Sequence, residues 1–143
     1  MHAVVNQLIS TNDLGSNNAE FFRLVKRSFT QLLVLLPGET NAPNTATGKI
    51  GTPTPVSASN LEGQEIFTVM AVDGQWNPIP GSSDTITISS SDSGAALPNP
   101  AALNNGTQQF TIYLDQGTPT ITATDTTNPA ILSNTSSAVT VTQ

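Results

Sequence analysis

The sequence predicts an all-β protein, an antiparallel sandwich of short strands. Three observations predict it: apolar residues alternate with threonine in short runs, turn residues separate those runs, and charge is sparse, at 10% of 143 residues. Threonine and the β-branched aliphatics favour strands, and Gly, Pro, Asn and Asp supply turns. The length suits one domain with a sizeable core. The apolar clusters are too regular, and the net charge of −6 too modest, for a disordered chain.

The runs follow in order. Residues 16–36 are ambiguous. Phe22, Val25, Phe29, Leu32 and Leu36 recur at helical spacing, and Asn17 with Glu20 resembles a capping box. Leu32–Leu36 is apolar all round, which suits a buried strand. The expectation is a short helix over Asn18–Arg27 and a strand from about Phe29, halted by Pro37-Gly38. The stretch from there to Pro55 is rich in Pro, Thr, Gly and Asn. It is expected to be loop, with a short edge strand near Pro55-Val56-Ser57.

Glu65–Asp73 alternates, with Phe67, Val69 and Ala71 on one face. Asp84–Ser89 turns Ile86 and Ile88 inward, and Phe110–Leu114, Thr120–Thr124 and Ala138–Thr142 repeat the pattern. Period-two alternation with threonine outside marks strands with one buried and one solvated face. The breakers between them are Asn77-Pro78-Ile79-Pro80-Gly81, Asn104-Asn105-Gly106, Gln116-Gly117 and Thr127-Asn128-Pro129. Phe67, Val69, Ile86, Ile88, Phe110, Ile112, Ile121 and Val139 form the expected core.

Charge narrows the function. Residues 1–27 carry a net +1, and from Ser28 onward only Lys49 is basic against eight carboxylates, a net −7. So acidic a surface repels phosphate backbones, which argues against nucleic acid as a partner. The basic amino-terminal segment is either a solvated face or a contact for a membrane or an acidic surface. No apolar stretch is long enough to span a membrane. There is no cysteine, hence no disulfide, thiolate metal site or cysteine nucleophile, and stability must come from burial and strand pairing.

The chain is expected not to be an enzyme. His2 is the only histidine, and no serine sits in a Gly-x-Ser-x-Gly elbow, so a nucleophile lacks its base and orienting group. Asp73, Asp92 and Asp125 fall at strand ends, where they either gather around calcium or cap turns through local hydrogen bonds. No Asp-x-Asp-x-Asp loop is present, and no cofactor other than calcium is indicated. Trp76, beside Asn77-Pro78, either stacks on a sugar or folds over the end of the sandwich. Asn105-Gly106-Thr107 and Asn134-Thr135-Ser136 fit the N-glycosylation pattern.

Val69-Met70-Ala71-Val72-Asp73 leading to Gln75-Trp76-Asn77-Pro78, and Gly117-Thr118-Pro119-Thr120-Ile121-Thr122-Ala123-Thr124-Asp125, carry a resemblance. Gln31–Thr40 and Thr47–Thr54 add to it. Residues 29–143 resemble the tandem Ig-like repeats of large bacterial surface and secreted proteins, the group that includes invasin- and intimin-type modules. The resemblance implies an immunoglobulin-like antiparallel β-sandwich and an extracellular or cell-surface structural role as spacer, adhesin or polymer subunit. Fold alone leaves the role open, so a carbohydrate-binding module using Trp76 and Asn77 and a virion accessory domain are the alternatives. Met1-His2-Ala3-Val4-Val5-Asn6-Gln7 lacks the pattern of a secretory leader. An extracellular protein is therefore expected to have had its leader removed ahead of it.

Residues 1–28 form an amino-terminal extension outside the resemblance, expected to contain a short helix, a strand or both. Ala3–Ile9 has strand character, and open sandwich edges accept added strands. Val4, Val5, Leu8 and Ile9 are therefore candidates for pairing with a neighbouring copy in a head-to-tail filament or sheath. The alternative is that the extension folds back on its own sandwich. Further candidate partners are glycans and cell surfaces.

Overall fold

The computed structural model describes residues 26–58 and 63–143. Among them there is no helix, hence none long and apolar enough to cross a membrane. Eleven strands form: β1 Gln31–Leu35, β2 Glu39–Asn41, β3 Lys49–Gly51, β4 Val56–Ser57, β5 Gly63–Val72 and β6 Thr85–Ser90. The rest are β7 Ala101–Ala102, β8 Thr107–Leu114, β9 Ile121–Asp125, β10 Asn134–Thr135 and β11 Val141–Thr142. The fold is the all-β sandwich the alternation predicts.

One sheet runs β1-β5-β8 and the other β10-β9-β6-β7, both antiparallel. Inward residues of the two sheets meet in a single core. Leu32, Val34, Phe67, Val69, Phe110 and Ile112 come from the first sheet, and Ile86, Ile88, Ile121 and Ala123 from the second. All eight core residues expected from the sequence are buried. Phe67 and Phe110 stack with centroids 5.9 Å apart across the β5–β8 ladder.

β1 ties the sheets together. It pairs with β5 from Gln31↔Val72 to Leu35↔Thr68, while the Leu32 amide donates to Leu132 O (3.0 Å) and the Val34 amide to Asn134 Oδ1 (2.8 Å). The strand expected from Phe29 begins at Gln31, although the Thr30 amide already donates to Val72 O. Of the helix expected over Asn18–Arg27, Lys26 and Arg27 are described and are not helical. Residues 18–25 lie outside the described residues.

The expected edge strand is β4, and its partner is the carboxyl-terminal β11, in parallel. The Val56 amide donates to Thr140 O and the Ala58 amide to Thr142 O, each at 2.8 Å. The stretch before it is not all loop: β2 and β3 form a hairpin, Glu39↔Gly51 to Asn41↔Lys49. The hairpin is fastened to β1 by Lys49 Nζ, which donates to Val34 O (3.2 Å). The strand alternation sends Leu33 and Val72 outward, yet both are fully buried and lie outside the main core cluster.

The turn into β8 is Asn104-Asn105-Gly106-Thr107, closed by the Asn104–Thr107 bridge, with Asn105 at φ +51° and Gly106 at φ +85°. Two consecutive positive-φ residues make the turn whose twist matches paired strands, and Asn-Gly is the pair that adopts it most readily. A Cβ on Gly106 would also run into the Ile79 carbonyl oxygen. Gly106→Ala should therefore lower the unfolding free energy by more than about 1 kcal/mol in urea titration.

The described chain crosses the sandwich from end to end. It enters at the pole where β5 finishes, beside Asp73, to which Arg27 reaches. It leaves at the opposite pole, where Gln143 Nε2 donates to Asp115 O (2.9 Å) beyond the end of β8.

Candidate functional site

Asp73, Trp76 and Asn77 share one loop at the entry pole. Asp73 closes β5, and its Oδ1 accepts from the amides of Gln75 (2.8 Å) and Asn77 (2.9 Å). Asn77 Nδ2 donates to both carboxylate oxygens, and Arg27 Nε lies 3.8 Å from Oδ2. Burial acts to raise the Asp73 pKa. The amides of Asn77 and Gln75, the Asn77 side chain and the Arg27 charge together outweigh it, and the carboxyl sits below its ordinary value. This is a loop-capping carboxylate with its lone pairs in use.

The stability that the Asp73 cap contributes is fully present above its ordinary unfolded pKa of about 4 and fades as pH falls through its depressed folded value. Asp73→Ala should accordingly cost about 2 kcal/mol at pH 7 and progressively less below pH 4. Chemical denaturation across that range measures the difference.

Trp76 sits at φ +68°, a conformation costly for a bulky residue. Its amide donates to Asp73 O (3.0 Å), and its carbonyl accepts from Asn41 Nδ2 (3.0 Å). One face of the indole lies on Gly48, where any Cβ would enter the ring. Trp76 thus staples the loop to the β2–β3 hairpin. A cavity of about 260 Å³ adjoins this loop, lined by Lys26, Arg27, Thr30, Asp73 and Gln75.

Asp125 lies at the same pole, because the Ala71 amide donates to Gly106 O and the Gly106 amide to Ser82 O, joining the ends of β5, β8 and β6. Its Oδ1 accepts from Thr127 (2.8 Å) and Asn128 (2.9 Å) amides. Its Oδ2 is buried without a hydrogen-bond partner. Asp125 pairs with Ile86, which places Asp84, two residues earlier in the chain, on the same face. Burial first, and the neighbouring Asp125 charge second, push the Asp84 carboxyl above its ordinary pKa.

Asp92 is at the far pole. Its Oδ2 accepts from the Asp115 amide (2.7 Å) and its Oδ1 from the Gly94 amide (2.9 Å). The Asp115 amide chiefly, with those of Gly94 and Gln116, holds its pKa down against burial. The three aspartates named as calcium candidates therefore do not converge. Two cap separate loops at one pole and the third caps a loop at the other. Among the described residues no three acidic or histidine side chains gather where they could hold a metal ion.

Both glycosylation-pattern asparagines are engaged in the fold. Asn105 Oδ1 accepts from the Gly81 amide (2.9 Å), and Asn134 Oδ1 from Val34. Val4, Val5, Leu8 and Ile9 lie outside the described residues.

Two buried charged features were absent from the sequence expectations. Glu65 points inward from β5, 4% exposed, with Oε1 unpartnered, and burial raises its pKa to about 7. The signal was available, since Glu65 shares the parity of Phe67, Val69 and Ala71. The second is the ion pair of Lys49 Nζ with Glu39 Oε2, 3.1 Å, with side chains 11% and 2% exposed. Glu39 also accepts from the Leu36 amide (3.0 Å) and Ser137 Oγ (2.6 Å). The pair joins the two strands of the β2–β3 hairpin, where no alternating buried face gives it away. Compared with known proteins, the chain matches no family model, no curated protein and no solved structure.

Proposed function

We propose that this chain is a non-enzymatic structural module of an extracellular or cell-surface assembly, an immunoglobulin-like spacer or polymer subunit. Copies join through strand pairing by the amino-terminal extension. One observation carries the reading: the described chain enters at one pole of the sandwich and leaves at the other. That path suits an element that transmits length, because units joined end to end extend along the long axis of their strands. The aspartates at both poles support it, since their hydrogen bonds stiffen the loops through which such a unit touches its neighbours.

The test is the mass and morphology of the purified chain, with and without residues 1–28, by light scattering and negative-stain microscopy. Circular dichroism checks that the shorter chain is folded. Fibres or large oligomers formed by the full chain and lost on truncation are the expected result. Monomers in both samples would overturn the assembly reading.

A further inference from the structure

β8 is the outer strand of its sheet, and its open edge is plugged only at its ends. Tyr113 and Ala96 exchange both backbone bonds (2.9 and 3.2 Å) on the side away from β5, as do Thr107 and Asn104 (2.8 and 3.2 Å). Alternation then fixes the direction of the residues between them. Phe110 and Ile112 turn their backbone groups to β5, while Gln109 and Thr111 turn theirs outward. Among the described residues, the one group bonded to these four outward donors and acceptors is the Gln108 side-chain amide, on Gln109 O (3.0 Å). Natural sheets blunt such an edge with charge, proline or a bulge. Thr107–Leu114 contains no charged residue and no proline. Beside the gap stand exposed apolar side chains, Leu97 (52%), Tyr113 (40%) and, on the adjacent strand, Ile66 (47%).

An added strand of about five residues fits between the plugs, which are six residues or roughly 20 Å apart. It would gain backbone bonds from Gln109 and Thr111 and lay alternate apolar side chains beside Tyr113 and Leu97. The chain supplies such a segment in Ala3-Val4-Val5-Asn6-Gln7-Leu8-Ile9, which is uncharged, free of proline and rich in β-branched residues. Residues 10–30 separate it from β1. Residues 26–30 are held at the entry pole, and the extended reach of residues 10–25, roughly 55 Å, exceeds the roughly 33 Å length of ten-residue β5, so the segment can reach a neighbouring molecule.

We propose that the open stretch of β8 at Gln109 and Thr111 accepts residues 3–9 of a second copy of this chain as an added strand. The proposal rests on the assembly reading above and identifies its acceptor.

The absence of cysteine makes the test direct. One full-length chain carries Val4→Cys, Val5→Cys or Asn6→Cys in turn, and another carries Thr111→Cys. Adjacent strands place Cα atoms within disulfide range. Mixed and oxidised, the best pairing should give mixed-disulfide dimers about tenfold or more above a Thr124→Cys control on exposed β9, because assembly raises the local thiol concentration. A chain carrying both cysteines that cyclises as a monomer would overturn the proposal in favour of pairing within one molecule. Crosslinking no better than the control, in a full chain that still oligomerises, would overturn the β8 edge as acceptor and leave assembly standing. A full chain that is monomeric throughout would overturn both.

Discussion

Lys49→Met should lower the unfolding free energy by about 3–5 kcal/mol, the cost of leaving one partner of a buried ion pair uncompensated. Lys49 Nζ is the cation facing the Glu39 carboxylate, and it also donates to Val34 O. Without it Glu39 retains the Leu36 amide and Ser137 Oγ but no counter-charge. The β2–β3 hairpin loses its fastening to β1 at the same stroke. Urea denaturation of Lys49→Met and of the double variant Lys49→Met/Glu39→Gln reads out the cause. Substantial recovery in the double variant identifies the stranded charge as the source of the loss. Equal instability in both would instead assign it to the missing bond to Val34.

Glu65→Leu is expected to work in the opposite direction and stabilise the protein at pH 8 by about 3 kcal/mol. The folded-state pKa of Glu65 is raised from 4.5 to about 7. Below pH 4.5 it is protonated folded or unfolded and costs little. Between 4.5 and about 7 the unfolded chain releases the proton while the folded chain keeps it, so stability falls as pH rises. Above about 7 the penalty is complete. Asp84, also raised, acts with the same sign. Asp73 and Asp92, both lowered, add stability above their unfolded values that is lost in acid. The stability of the natural chain should therefore peak near pH 4–5. The gap between the denaturation midpoints of the two proteins should be smallest at pH 4, widen between pH 4.5 and about 7, and level off by pH 8. A constant gap would refute the assignment to Glu65.

The strands were legible because burial has a period. Wherever one face is core and the other water, as in β5, β6, β8 and β9, apolar residues fall on alternate positions and the run announces itself. β2 and β3 escaped notice because Glu39-Thr40-Asn41 and Lys49-Ile50-Gly51 pair without burying an alternating face. An ion pair and a tryptophan hold their hairpin instead. The aspartates at strand ends were readable as caps, since Asp73, Asp92 and Asp125 each bond to amides two to four residues on. What the sequence could not convey was which pole each occupies, because that depends on strand direction in the assembled sheets. Trp76 shows the same limit: its place in a turn is legible, but its resting place on Gly48 follows from a hairpin some thirty residues earlier.

The parallel pairing of β11 with β4 bears on how the sandwich responds to tension. Pulling on its two ends draws β11 along its own axis past a strand that runs the same way. The bonds of Val56 to Thr140 and Ala58 to Thr142 lie across that pull. They are loaded together, in shear, and must break as a group rather than one after another as in an unzipping hairpin. β1, at the other pole, pairs antiparallel with β5 and is held on its far side by Leu132 and Asn134. Rupture under force is governed by the unfolding rate rather than by equilibrium stability. The short strand β11, whose two residues contribute modestly to the folding equilibrium, therefore sets the load at which that end of the sandwich yields.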